Sequence, residues 1–386
     1  MCPKINRVVE DIPLSGIRKI AGAAAELSRN GHRVYPFHLG MPDFDTPESI
    51  KEAAIAKLRA GHVHYTPNPG VPALQAAIAS NIYSRLNVTV EPGSVIATVG
   101  ASEAVAISLM AVLEPGTEVI VPTPCFPTYL YLPKVLGADV IQLPLSLESG
   151  FMPTAQDVEP LITEKTRAIL INSPNNPTGA VICPDALKEL IALARERDFW
   201  LISDEVYEDI VYDGFSHISA LSLARDGDPV IYVSGLSKTY SMTGWRLGYL
   251  VAPEDLFGSM LKLHQYIVTS ACSFVQWGAV HALSEKPNTD YMMMEYEKRR
   301  QSVISELERA GIDFLTPGGS FFVFPRIPDG LPDDEVFCHD LLRDYGLGLV
   351  PGTAFGDNFN RYFRVCYACS TQDVREGMRV LADALV

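Results

Sequence analysis

The 386-residue chain predicts an α/β fold, in which a mostly parallel sheet carries helices on both faces and a smaller α+β unit follows it. Three observations carry that expectation. Between Val95 and Val251 short apolar runs alternate with helical stretches, as parallel strands joined by crossover helices require. From about Lys286 the alternation gives way to a long charged stretch and a different order of elements. The hydrophobic content of 47% is enough for a large core, and the length favours two domains or one large one.

Seven strand candidates occupy 95–98, 118–121, 139–143, 168–171, 200–203, 230–233 and 247–251. Helices fill the intervals, for example 102–113, 184–197 and the stretch following Phe126. Glu114-Pro115-Gly116 and Asp226-Gly227-Asp228-Pro229 mark turns, because proline presets φ and removes a donor while glycine accepts positive φ. Beyond residue 286 the pattern predicts a charged helix through Arg309, strands at 320–327 and 362–369, and a closing helix from Thr371. No internal repeat or low-complexity tract interrupts the chain.

A formal net charge of −15 opposes non-specific binding to nucleic acid or to an anionic membrane, so any anion has to be held locally. No run approaches the roughly 20 apolar residues needed to cross a bilayer. Glu10 and Asp11 precede the first apolar stretch, which does not suggest a leader peptide. The seven cysteines are scattered and read as reduced thiols of a cytoplasmic protein. Cys366-x-x-Cys369 has no second pair and lies in a strand-like run, so packing is favoured over metal or redox work. His62-Val63-His64 lacks an acidic or cysteine partner nearby and reads as local packing or hydrogen bonding, with no metal expected.

The most informative run is Ser234-Gly235-Leu236-Ser237-Lys238-Thr239-Tyr240-Ser241-Met242-Thr243-Gly244-Trp245-Arg246. A lysine just after an apolar strand, flanked by hydroxyls and followed by arginine, suits a Schiff base to an aldehyde cofactor beside a phosphate clamp. A free lysine amine titrates near about 10.4, so it attacks carbonyls poorly unless burial or a neighbouring cation lowers that value. Ser237 can donate to a phosphate, and the planar fork of Arg246 can grip two of its oxygens.

Residues 234–249, SGLSKTYSMTGWRLGY, resemble the cofactor-lysine segment of class I/II aminotransferases of fold type I, of the aspartate/aromatic aminotransferase-like kind. The resemblance runs from Ile12-Pro13-Leu14-Ser15-Gly16-Ile17-Arg18 to the C-terminal helix. It implies pyridoxal 5′-phosphate as cofactor and Lys238 as the imine-forming catalytic residue. It also implies a large cofactor domain at 46–285 and a small domain made of 1–45 with 286–386.

Asp204 ends the strand at 200–203, at the carboxyl edge where ligands of parallel sheets bind. The family places an aspartate here against the pyridine nitrogen. Two unit charges about 4 Å apart at an effective dielectric near 20 attract by about 4 kcal/mol, enough to raise a pyridinium pKa by roughly three units before desolvation. Taken alone, Asp204 equally suits a helix N-cap. The resemblance further assigns Tyr207 and Asn176 to the ring's 3-oxygen, with Asn176 inside Asn175-Asn176-Pro177-Thr178-Gly179 and a cis bond before Pro177. Gly100, Ala101 and Ser102 open a helix after a strand and can receive phosphate on their backbone N–H groups. Phe126 falls where the family sets an aromatic against the cofactor ring. Tyr65 matches a tyrosine that reaches the phosphate of a neighbouring subunit, which implies a homodimer.

On the substrate side the resemblance gives Arg364 the α-carboxylate as a bidentate pair and Gly40 the place beside it. Arg361 reads as a surface charge. Ile17, Phe126 and Phe321 suggest a largely apolar side-chain pocket, and no second arginine is placed, which favours aromatic or aliphatic amino acids and leaves aspartate open. The implied reaction is ping-pong transfer of an amino group from an L-amino acid to a 2-oxo acid. The same Lys238 and Asp204 would serve a β-eliminating lyase or other specialised α-carbanion chemistry on the same fold. An aminotransferase-like regulatory domain is a third reading, which the short acidic segment before the fold disfavours.

Overall fold

The computed structural model describes residues 5–385. Strands β1 (Val95–Thr98), β2 (Glu118–Thr123), β3 (Asp139–Pro144), β4 (Thr166–Asn172), β5 (Trp200–Asp204), β6 (Val230–Gly235) and β7 (Gly248–Val251) form one sheet in the order β1-β7-β6-β5-β4-β2-β3. All neighbours from β3 to β6 are parallel, and β7 runs antiparallel to both β6 and β1. Each expected strand is present, and three of them run on to include Thr123, Asn172 and Asp204.

Successive strand residues point to opposite faces, so each strand feeds two cores. Ile120, Ile169, Ile171 and Leu201 pack with Leu187, Leu190 and Ile191 of the helix Pro184–Glu196. Val119, Val121, Leu170, Ile202 and Val233 pack with Ala104, Val105, Ile107 and Leu109 of the helix Ala101–Val112. Burial on both faces is why these strands read as continuous apolar runs rather than alternating ones.

A second sheet has the order β8 (Phe322–Val323), β10 (Phe363–Cys366), β9 (Val350–Pro351), all antiparallel. Its core joins the helices Asp290–Arg309, Asp334–Tyr345 and Thr371–Leu385 to Ile20 and Phe37. The N-terminal segment docks there, because the Cys366 N–H donates to the Phe37 carbonyl and Tyr35 bridges Leu347. The strands expected at 320–327 and 362–369 are shorter. Ser320 takes φ +56 and Pro325 lacks a donor, so regular pairing is limited to Phe322–Val323. The charged helix begins at Asp290 because Lys286, at φ +44, ends the preceding helix. Cys366 and Cys369 are buried packing residues, and neither forms a disulfide with another cysteine among the described residues. No helix among the described residues is long and apolar enough to cross a membrane.

Candidate active site

Strand register builds the centre of the site. Asn172, the last residue of β4, lies beside Asp204, the last residue of β5, which lies beside Val233 of β6, so these strand ends meet at one edge of the sheet. A cavity of about 760 Å³ opens there, lined by both sheets' loops and by the N-terminal segment.

Asp204 is 5% exposed. Its Oδ2 accepts from the Tyr129 hydroxyl at 2.5 Å and its Oδ1 from the Val206 N–H at 3.1 Å. Residues 206–209 form a turn rather than a helix, so the N-cap alternative is not realised, and Asp204 lines the cavity. Burial pushes its pKa up to about 6, against the lowering effect of the Tyr129 hydroxyl. Asn172 ties the edge together, donating to the Asp204 carbonyl at 2.9 Å and accepting from the Asn176 N–H at 2.9 Å.

Lys238 follows β6. Its Nζ donates to the Gly40 carbonyl at 2.9 Å and lies 5.5 Å from the centroid of the Tyr207 ring. Burial, helped by repulsion from Arg364 and Arg246, lowers its pKa to about 8. The loop that carries it is held from behind: Thr239 donates to Asp209 at 2.8 Å, and Ser234 and Tyr232 donate to Glu208, which pairs with Arg85 at 2.9 Å. Glu205, Glu208 and His217 cluster within 4.8 Å, but protein donors already occupy both carboxylates.

Arg364 is 1% exposed, and no carboxylate among the described residues pairs with it. Its Nη1 donates to Asn176 Oδ1 at 3.0 Å and its Nη2 to the His38 carbonyl at 2.8 Å, while Nε has no partner. A buried guanidinium answered only by neutral oxygens is costly unless an anion completes it. A β-carbon on Gly40 would sit 3.8 Å from Arg364 Nη1, in the space beside the guanidinium.

Arg246, at φ +54, lies against Gly100, whose own φ is +75. A β-carbon there would come within 2.5 Å of Arg246 Nη2. Glycine therefore lets the guanidinium lie against the start of the helix Ala101–Val112, where Ala101, Ser102 and Ser237 also face the cavity. This is a basic, donor-rich cradle suited to a phosphate.

Ile17, Phe126, Asn176 and Tyr207 also line the cavity. Tyr65 does not, being 87% exposed on the surface of its own chain. Phe321, expected in the side-chain pocket, is fully buried behind Tyr207 with ring centroids 5.4 Å apart. Arg361 donates to the carbonyls of Leu331 and Pro328, so it fastens a loop besides facing solvent. The bond before Pro177 is cis, as are those before Pro124 and Pro174. Sequence reasoning missed Tyr129 and Asn172. Only the strand-end position of Asn172 offered a local signal.

The model of the family described as aminotransferase class I and II matches residues 34–381. An aspartate aminotransferase of Pyrococcus abyssi is 38% identical over 369 residues, covering 94% of each chain. An aromatic-amino-acid aminotransferase of Thermococcus litoralis is 35% identical, covering 96% of this chain and 95% of its own. Among solved structures, an aspartate aminotransferase from Thermus thermophilus with maleate superposes with a TM-score of 0.94 at 33% identity over 100% of both chains. The fold and the cavity are those of a fold type I enzyme that works with pyridoxal 5′-phosphate. The chain belongs to the class I and II aminotransferases.

Proposed function

We propose that this protein exchanges amino groups between L-amino acids and 2-oxo acids, with Lys238, Asp204 and Arg364 as the centre of the machinery. One observation carries the assignment of roles: a buried amine held near pKa 8, a buried carboxylate and a buried arginine lacking an anion share one cavity.

Pyridoxal 5′-phosphate, bound through its aldehyde, supplies a sink for the electron pair released when a bond at the substrate α-carbon breaks. Arg246, Ser237 and the N–H groups at Ala101 and Ser102 would hold its phosphate, with Gly100 leaving room for the arginine. Asp204, kept anionic by the Tyr129 hydroxyl, would face the ring nitrogen, with Tyr207 and Asn176 at the ring oxygen and Phe126 along the ring. Arg364 clamps the substrate α-carboxylate in the space that Gly40 leaves free, which fixes the α-carbon relative to Lys238. The Lys238 Nζ would be the base that takes the α-proton of a substrate held by Arg364 and gives it back later in the reaction. With a lowered pKa it can do both near neutral pH.

The division into a 46–285 cofactor domain and a unit formed by 1–45 with 286–386 belongs to the same reading, supported by the shared core of Ile20 and Phe37 with the C-terminal helices. So does a homodimer in which Tyr65 completes the neighbouring site, supported by the exposure of Tyr65, Tyr266, Met41 and Val63. A cytoplasmic location fits the six described free cysteines. A homogeneous active monomer in sedimentation would overturn the shared site.

The test is a panel of amino acids followed by the cofactor's absorbance, with and without a 2-oxo acid. Exchange that stalls after one equivalent without acceptor is expected. Continuous turnover without acceptor would establish the eliminating reaction instead, and borohydride trapping on a lysine other than Lys238 would refute its assignment.

A further inference from the structure

Two buried glutamate–histidine pairs lie outside the machinery described so far, Glu205 with His217 and Glu103 with His264. Glu205 also accepts from the Ser203 hydroxyl and the Ala220 N–H, so it fastens the segment 217–220 to the end of β5. Glu103 is placed differently. It is the third residue of the helix Ala101–Val112, and its Oε2 turns back to accept from the Val99 N–H at 2.5 Å. Its Oε1 meets His264 Nδ1 at 2.8 Å, across 161 residues.

His264 is fully buried in the helix Glu254–Val268, whose Leu256 and Met260 share a core with Ala104, Val105 and Leu109. A carboxylate only accepts, so the ring proton sits on Nδ1 and is donated to Glu103. The other ring nitrogen, Nε2, is buried without a partner among the described residues, and a neutral ring leaves it no proton to satisfy.

The residues between Val99 and Glu103 are those assigned above to the phosphate, and their backbone is gripped from several sides. Gly100 lets Arg246 lie against it. A β-carbon on Gly248 would lie 2.4 Å from the Ala101 nitrogen, so the start of β7 passes directly against the same loop. The Thr98 hydroxyl donates to the Gly100 carbonyl at 3.0 Å. Glu103 adds the tie to a neighbouring helix, because it holds the Val99 peptide while His264 holds Glu103. The N–H groups of Ala101 and Ser102, which have no carbonyl one turn earlier in the helix, are thereby fixed relative to Arg246. Charge alone would favour a neutral residue at 103, since a carboxylate in the first turn competes with a phosphate for the positive end of the helix dipole.

We propose that Glu103, held by His264, is a positioning residue for cofactor binding, fixing the 99–102 backbone so that its N–H groups and Arg246 meet the phosphate together. This rests on the assignment of the phosphate to that loop. Neither residue of the pair lines the cavity, so both act through the backbone.

The test titrates the cofactor-free, full-length chain with pyridoxal 5′-phosphate and with pyridoxal, which lacks the phosphate, and compares the two dissociation constants. Wild type, Glu103→Gln, His264→Leu and His264→Asn are measured by absorbance. Glu103→Gln is expected to weaken pyridoxal 5′-phosphate by about 10-fold, the effect of loosening one charge-assisted hydrogen bond. Pyridoxal should stay within about 3-fold, as a loss confined to the phosphate requires. His264→Leu should do the same, and His264→Asn, which keeps a donor near the Nδ1 position, should recover part of the loss. Should Glu103→Gln not fold, the two His264 variants decide by the same ratio.

Equal weakening of both ligands would reduce the pair to a packing role and overturn the proposal. So would unchanged or tighter binding of pyridoxal 5′-phosphate by Glu103→Gln, the result that charge alone predicts. A wild type that binds pyridoxal as tightly as its phosphate would instead overturn the phosphate site itself.

Discussion

Replacing Lys238 by methionine removes a buried ammonium while keeping most of the side-chain volume. In the folded, cofactor-free protein the amine titrates near 8, against an ordinary value of 10.5. A gap of that size corresponds to about 3 kcal/mol of destabilisation at pH 7. The ammonium faces the cavity, so that figure is an upper value, and the variant also loses the hydrogen bond to the Gly40 carbonyl, worth about 1 kcal/mol. A net gain of about 2 kcal/mol is expected.

The sign is specific. A lysine with a lowered folded pKa carries its full penalty below pH 8, and the penalty fades as pH rises towards 10.5, because over that window the unfolded chain binds the proton that the folded one has lost. Urea denaturation of the cofactor-free proteins, followed by intrinsic fluorescence at equal protomer concentration, measures the difference. Lys238→Met should have the higher midpoint at pH 7, and the gap should narrow by pH 10. A variant less stable than wild type at pH 7, or a gap independent of pH, would refute the idea that the lysine is held in a desolvated, reactive state.

Two further outcomes concern the cofactor site. Tyr129→Phe removes the hydroxyl on Asp204 Oδ2, so the carboxyl pKa rises above its value of about 6. The loss of cofactor affinity on acidification should then begin about one pH unit higher than in wild type, as read by absorbance titration of the cofactor-free protein. Gly100→Ala puts a β-carbon on a residue at φ +75, ψ 164 and into the Arg246 guanidinium. It should weaken cofactor binding by about 10- to 100-fold, the effect of 1–3 kcal/mol of backbone strain, with an unchanged far-ultraviolet spectrum. Unaltered affinity would show that Arg246 does not need that approach.

Much of the architecture was legible because sheet signals are local. An apolar run between turn residues is a strand wherever its partners lie, and Lys238, Asp204 and Asn176 each sit at a recognisable punctuation of that pattern. The limits of β8 were not legible, since an unusual φ at Ser320 is set by the contacts around it. Phe321 was misjudged for a related reason: adjacent aromatics at 321 and 322 take separate places against Tyr207, and hydrophobicity does not say which of them meets a ligand.

The sequence by itself determined the strand order of events along the chain, the punctuated loops and the residue types that chemistry on an aldehyde cofactor requires. Tertiary structure alone decided who meets whom. Tyr129 reaches Asp204 across 75 residues, Arg364 reaches Asn176 across 188, and Lys238 reaches Gly40 across 198. Periodicity is a property of neighbours a few positions apart, whereas these contacts depend on sheet register and on docking the N-terminal segment against β10.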